Sequence, residues 1–146
     1  MLDSKGIAAT EFGDGGNDTY VFNAGYDGVT VVNGSPMGGA PDGTLQFGAG
    51  LDSGDLWFVQ QGQNLVIDQI GKLGSVTVNG WFGSNTSAAL AEIVGGDGLR
   101  LDAGVGALVG AMSAYQAAHP GFNPVLASAM PGDAALQAAI GAAWHA

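Results

Sequence analysis

The chain has 146 residues, which fits one domain or one domain with an appendage. Thirteen acidic residues against three basic ones give a formal net charge of −10. This charge disfavours nucleic acids and anionic membrane surfaces as partners, because both are bound mainly through Lys and Arg. The sequence contains no cysteine, which excludes disulfides, thiolate zinc sites and cysteine nucleophiles.

Residues 1–43 are rich in Gly, Asp and Asn, with short apolar runs between the turns. Residues 20–22 and 29–32 are mostly β-branched or aromatic, and such runs between Gly and Asn clusters predict strands joined by tight turns. Residues 35–43 have the Gly and Pro composition of a loop or linker. We therefore expect a first region of short strands and turns.

The turn at residues 13–18, Gly-Asp-Gly-Gly-Asn-Asp, suggests a metal ligand. Residues 13–21 match the calcium-binding repeat Gly-Gly-x-Gly-x-Asp-x-apolar-x with one substitution, Asp14 for the second Gly. In this pattern Asp18 is a carboxylate ligand, and glycines such as Gly16 let backbone carbonyls approach the ion. Eleven of the thirteen acidic residues are Asp, whose short side chain suits oxygen ligation from turns.

Residues 25–31 repeat the pattern in a degenerate form, with Asp27 retained but Thr or Val at the ligand position. The predicted metal-binding residues are Asp14, Gly16, Asp18 and Asp27. Two interpretations stay open at this point: a calcium site and an ordinary turn. A calcium site would need further ligands, because one turn supplies only part of the roughly six to eight oxygens that calcium takes. An ordinary turn would use the same Gly, Asp and Asn residues.

Residues 44–102 carry the strongest strand signals of the chain. Short loops at 61–63 and 95–98 predict two hairpins, and strands at this spacing predict a small antiparallel sandwich or roll. Three aromatic residues of this region suit either core packing or carbohydrate stacking, and strand alternation favours the core: Trp57, Trp81 and Phe82. The predicted strands are 44–47, 56–60, 64–70, 75–79, 90–94 and 99–101.

Residues 103–146 change to an Ala-rich composition that predicts one or two helices. The first is expected to run to about residue 118, because Pro120 cannot continue it. Its apolar positions are Val105, Leu108, Val109, Met112 and Tyr115. Gly and Pro interrupt residues 103–132, so no membrane span is expected there.

The second predicted helix begins after Asp133, which is suited to be its N-cap. Leu136, Ile140 and Trp144 repeat every four residues and form its apolar stripe. Since a short isolated helix is only marginally stable in water, we expect this tail either to dock on another part of the fold or to stay loosely ordered.

No set of residues in the sequence converges on catalysis. The chain lacks a Gly-x-Ser-x-Gly elbow, and His119 and His145 have no metal-binding partner at helical or strand spacing. Asp52 and Asp55 bracket a glycine and suit a turn better than a pair of glycosidase carboxylates. We expect no enzymatic activity.

The order of these segments resembles the C-terminal end of RTX proteins, the haemolysin-type calcium-binding family that leaves bacteria by type I secretion. The resemblance lies in GDGGNDTYVFNAGYDGVTVVN, followed by GTLQFGAGLDSGDLWFVQQGQNLVIDQIGKLGSVTVNGWF. Asn64 stands where this family commonly has Asp, and Gly80 precedes the Trp-Phe pair. The tail resembles the uncleaved export signal of the family, and its apolar stripe would be part of that signal.

The resemblance implies a mainly β fold in three regions. One or more terminal β-roll turns (1–43) would lead into a small antiparallel β-sandwich or roll (44–102), and then into one or two helices (103–146). It also implies Ca²⁺ binding, calcium-triggered folding after export, contact with the type I secretion apparatus, and an extracellular or cell-surface location. A roll edge also offers a place for self-association. The alternative function is an adhesive module that binds a glycan or a protein.

Overall fold

The computed structural model describes residues 2–3, 9–12, 19–23, 28–32, 43–72, 74–84, 88–102 and 104–145. Within these residues ten strands form two five-stranded sheets, and two helices follow them. The strands are β1 Leu2–Asp3, β2 Ala9–Phe12, β3 Thr19–Phe22, β4 Val29–Val32, β5 Thr44–Phe47, β6 Leu56–Gln61, β7 Asn64–Gln69, β8 Ser75–Val78, β9 Glu92–Val94 and β10 Arg100–Leu101. The helices are α1 Val105–Ala118 and α2 Ala134–Ala143.

Strands β1 to β5 alternate between the two sheets. The first sheet has the order β1-β3-β5-β9-β10, and the second has the order β2-β4-β8-β7-β6. Within each sheet the neighbours from this part of the chain run parallel, so Thr10 pairs with Thr30 and Tyr20 with Leu45. Each step along the chain therefore crosses from one sheet to the other.

Alternate strand residues point into one shared core. Tyr20, Leu45 and Ile93 lie side by side across the first sheet, and each is at most 1% exposed. Val31 and Val78 are the corresponding neighbours in the second sheet and are also fully buried. Period-two burial of β-branched, aliphatic and aromatic residues explains why these short segments form strands.

Residues 44–102 form mixed rather than purely antiparallel sheets. Strands β6, β7 and β8 make the predicted antiparallel run, with a hairpin loop in which Gly62 has φ +61°, and β9 pairs antiparallel with β10. The prediction of antiparallel pairing throughout this region was wrong, because β5 pairs in parallel with β3 and β9, and β8 with β4. Alternation shows which face of a strand is buried, but it does not identify the neighbouring strand.

The two predicted C-terminal helices are present. Helix α1 ends at Ala118, just before Pro120, and the Asp133 side chain caps α2 by accepting a hydrogen bond from the Leu136 N–H. The result is a sheet-rich fold with two helices at its C-terminal end. In the part of the chain that the structure describes, neither helix combines the length and apolar character needed to cross a bilayer.

Candidate functional site

The predicted calcium residues Asp14, Gly16, Asp18 and Asp27 lie outside the described residues, so calcium ligation stays a prediction. The described strands still show where these residues belong along the chain. Strands β2 and β4 belong to the second sheet and β3 to the first. In the sequence the two motif segments fall between β2 and β3 and between β3 and β4.

Among the described residues, no group of three or more His, Asp or Glu side chains is arranged to hold a metal ion. Asp52 and Asp55 flank a 3-10 helix at Ser53–Asp55, where the Asp55 carboxylate accepts a hydrogen bond from the Asp52 N–H at 3.2 Å. These two residues serve the turn, which agrees with the structural role expected from the sequence.

Asp97 joins this turn to the hairpin between β9 and β10. One of its carboxylate oxygens accepts hydrogen bonds from the Ser53 hydroxyl at 2.7 Å and the Ser53 N–H at 3.2 Å, and the other accepts from the Leu99 N–H at 3.3 Å. Burial acts to raise the pKa of Asp97, but the hydrogen bonds from Ser53 and Leu99 outweigh it and hold the pKa below its ordinary value. The Asp97 carboxylate therefore links the turn at Ser53 to the hairpin between β9 and β10.

The most extensive set of contacts among the described residues lies where the C-terminal tail, residues 104–145, meets β6 and β10, the last strands of the two sheets. Strand β6 is the edge of the second sheet, and α1 packs against it. The Phe58 N–H donates a hydrogen bond to the Met112 sulfur at 3.0 Å. An edge strand normally presents unpaired N–H groups that invite further strands, and here a helix side chain takes up one of them.

Trp57, on the outer face of β6, also contacts α1. Its ring is fully buried and lies 5.9 Å from the ring of Tyr115 and 4.8 Å from that of Phe122. Its indole N–H donates to the Gln116 side-chain oxygen at 3.3 Å. Trp57 is thus a core residue, as strand alternation favoured, and offers no exposed face on which a sugar could stack. Trp81 is partly buried against the core.

The end of the tail covers the edge of the first sheet. His145 forms an isolated antiparallel bridge to Arg100 in β10, with N–H to carbonyl distances of 2.6 and 2.9 Å. The His145 ring nitrogen Nε2 also lies 3.1 Å from a carboxylate oxygen of Asp102. Both edge strands on this side of the sheets are therefore covered by the tail, and we call this the closed side.

The predicted apolar stripe of α2 is buried in this contact. Leu136, Ile140 and Trp144 are all at most 8% exposed, and the Trp144 ring lies 6.2 Å from that of Phe58. Of the two alternatives for the tail, docking on the fold is the one found. Whether the stripe is also an export signal remains a prediction.

A glycine allows the close approach of α2 to the start of α1. A Cβ atom at Gly104 would lie 2.8 Å from the Cβ and 3.0 Å from the Cα of Ala143, which is too close for any side chain larger than hydrogen. Sequence reasoning missed this contact, the Met112 acceptor and the His145 bridge. Each joins residues distant in sequence, and no local pattern marks them.

Neither a scan of protein-family models nor a search of curated proteins finds a match to this chain.

Proposed function

We propose that this chain is the non-catalytic end unit of a calcium-dependent parallel β-roll of the RTX type. The observation that carries the proposal is the alternation of β1 to β5 between two sheets, with parallel pairing in each, followed by a side that the tail covers. A roll built from such turns needs an end at which strand addition stops, because terminal units of stacked repeats are capped.

Calcium binding is supported by the position of the motif. In the sequence the motif segments fall between β2 and β3 and between β3 and β4, and in a β-roll repeat the ligands lie between successive strands. The net charge of −10 favours cation binding in general. Asp18 is the best candidate ligand, and Asp14, Asp27 and the Gly16 carbonyl are the further candidates.

We also propose that the tail carries the type I export signal, which places the protein outside the cell or on its surface. The apolar stripe of Leu136, Ile140 and Trp144 is buried in the folded state. An export apparatus that recognises this stripe would therefore meet it only before folding. Calcium outside the cell would then drive the docked arrangement, because binding to the native state alone shifts the folding equilibrium.

Self-association is proposed through the opposite side. Among the described residues, no strand lies beyond β1 or β2. A preceding roll turn, or a second copy of the chain, would add its strands there.

A calcium titration of the full chain tests the metal part of this proposal. We expect millimolar calcium to increase β-structure by circular dichroism and to raise the melting temperature, and Asp18→Asn to weaken the response. Glu92→Gln is a matched control, since it removes one negative charge from a surface ion pair with Arg100 that contributes little to stability. A melting temperature unchanged by calcium would overturn calcium binding.

The export part has a separate test in a bacterial host with a type I apparatus. Deletion of residues 103–146 should abolish secretion of a fused reporter, and the tail alone should restore it. Full secretion of the truncated protein would overturn the signal while leaving calcium binding intact.

A further inference from the structure

A polar groove lies on the outer face of the second sheet, between β6 and β7 and the segment after α1. Its volume is about 540 Å3, within the roughly 300–1,000 Å3 of small-molecule sites. Its polar lining comes from Gln61, Asp68, Gln116 and Asn123, and Phe122 supplies an aromatic wall. The groove does not involve the calcium motif, and its lining includes Val59 and Gln61 of the edge strand β6.

Asp68 gives the groove its only charged side chain. It lies directly opposite Trp57 in the β6–β7 ladder, and its burial raises the pKa of the carboxyl above its ordinary value. Among the described residues no group donates a hydrogen bond to this carboxylate, so a half-buried acceptor is left without a partner. A partly desolvated carboxylate that lines a cleft is a candidate functional-site residue.

Two fixed amides complement this acceptor. The Gln116 side-chain oxygen accepts from the Trp57 indole at 3.3 Å, and the Asn123 side-chain oxygen accepts from the Val125 N–H at 3.1 Å. Each bond orients the amide and leaves its NH2 group to donate. No described residue accepts from either NH2 group. The groove thus offers one acceptor and two donors in fixed positions.

The aromatic wall packs against two other rings. The Phe122 ring lies 4.8 Å from the Trp57 ring and 5.2 Å from the Tyr115 ring, the second in an edge-on arrangement. The face of an aromatic ring suits contact with the apolar C–H face of a ligand. No Lys or Arg lines the groove, and its carboxylate disfavours anions.

From this combination we propose that the groove binds a neutral saccharide of one or two units. Hydroxyl groups both donate and accept, so one ligand can satisfy the Asp68 carboxylate and the NH2 groups of Gln116 and Asn123 together. Its C–H face would pack against Phe122. The site differs from the sheet aromatics that the sequence offered for carbohydrate stacking, because Trp57 itself is buried beneath it.

Saturation-transfer NMR on the full chain tests this proposal. The probes are glucose, galactose, mannose, N-acetylglucosamine and their neutral disaccharides. At least one should receive saturation from the protein, and calorimetry should then measure its affinity. Asp68→Asn should weaken binding about tenfold to a hundredfold, the effect of losing a hydrogen bond to a charged group, and Gln116→Ala should weaken it about twofold to tenfold, as expected for a neutral hydrogen bond. Glu92→Gln should leave binding unchanged.

Asp68→Asn keeps the side-chain volume and removes a desolvated charge, so it should stay folded, which an amide correlation spectrum checks. Three results would overturn the proposal. The first is that no sugar of the panel binds, and the second is that Asp68→Asn binds the sugar as well as the wild type does. The third is that only calcium chloride shifts the resonances of Asp68 and Asn123, which would make the groove a cation site.

Discussion

The backbone N–H of Phe58 donates to the sulfur of Met112, 54 positions further along the chain and 3.0 Å away. Both residues are at most 1% exposed. The bond joins an edge strand to a helix of the tail, where a neighbouring strand would otherwise have paired. A thioether is a weak acceptor, yet it satisfies a buried donor that has no access to water.

Replacing Met112 by Leu tests this bond. The substitution nearly conserves volume, which by itself costs less than about 1.5 kcal/mol, but it leaves the Phe58 N–H without an acceptor, at about 1–3 kcal/mol. We expect urea unfolding to show a loss of about 2 kcal/mol. Met130→Leu is the control, because Met130 packs against the core without an acceptor role. Equal losses of unfolding free energy in both variants would show that the hydrogen bond to the Met112 sulfur does not contribute to stability.

The close approach at Gly104 makes a second prediction. Gly104→Ala puts a methyl group against Ala143, and overpacking of this kind costs about 1–3 kcal/mol. Gly106→Ala, two positions further along in the first turn of α1, is the control, since a Cβ there meets no atom within 4 Å. Ala has the higher helix propensity, so this control should gain up to about 1 kcal/mol. Thermal unfolding of both variants measures the difference, and a stabilised Gly104→Ala would show that the two helices are not so closely packed.

Two leucines of the tail with very different exposure give a third prediction. Leu136 is 1% exposed and Leu126 is 81% exposed. Leu136→Ala should lower the free energy of unfolding by about 2–5 kcal/mol, whereas Leu126→Ala should change it by less than about 0.5 kcal/mol. Chemical denaturation of both variants tests whether the tail is docked in solution. Similar small effects would mean that it is not.

The lowered pKa of Asp97 predicts a pH dependence. Because the folded state holds the carboxylate ionised below the ordinary pKa of Asp, the stability it contributes is present above that ordinary value and is lost as pH falls through the folded-state pKa. Asp97→Asn should therefore melt at a lower temperature than the wild type at pH 7, and the gap should narrow as the pH falls through that range. A gap that is constant with pH would assign the effect to packing alone.

The pH dependence of stability expected from Asp68 has the opposite sign to that of Asp97. Burial raises its pKa, so the folded state favours the protonated carboxyl, and this side chain costs stability as pH rises through the interval above the ordinary value. We expect Asp68→Asn to raise the melting temperature at pH 7 and to have little effect at acidic pH. Melting curves of wild type and variant between pH 3 and 8 measure this, and a destabilised variant at pH 7 would contradict it.

Local patterns predicted the local structure well. The hairpin around Gly62 and the end of α1 before Pro120 depend on residues a few positions apart, and both are found. The N-cap at Asp133 and the buried stripe from Leu136 to Trp144 follow from the same short-range rules. Strand existence and helix termini are set by propensity and period, which a sequence displays directly.

Long-range pairing could not be predicted in the same way. Thr44–Phe47 was recognised as a strand, but nothing in its composition identifies its parallel partners β3 and β9. The groove around Asp68 was missed for a related reason, since it is assembled from β7 and a loop more than 50 positions later. The calcium motif is the opposite case from the groove. Its residues are evident in the sequence, but they lie outside the described part of the structure.

The coverage of β6 by α1 and of β10 by His145 also limits how copies of this chain can polymerise. Indefinite fibres need two complementary edges on every unit, so that each copy accepts one neighbour and offers itself to the next. On the closed side, strand addition would first have to displace the helix and break the His145 bridge. On the function proposed above, such a unit would end a growing stack rather than extend it, and two copies that met through their other sides would stop at a dimer.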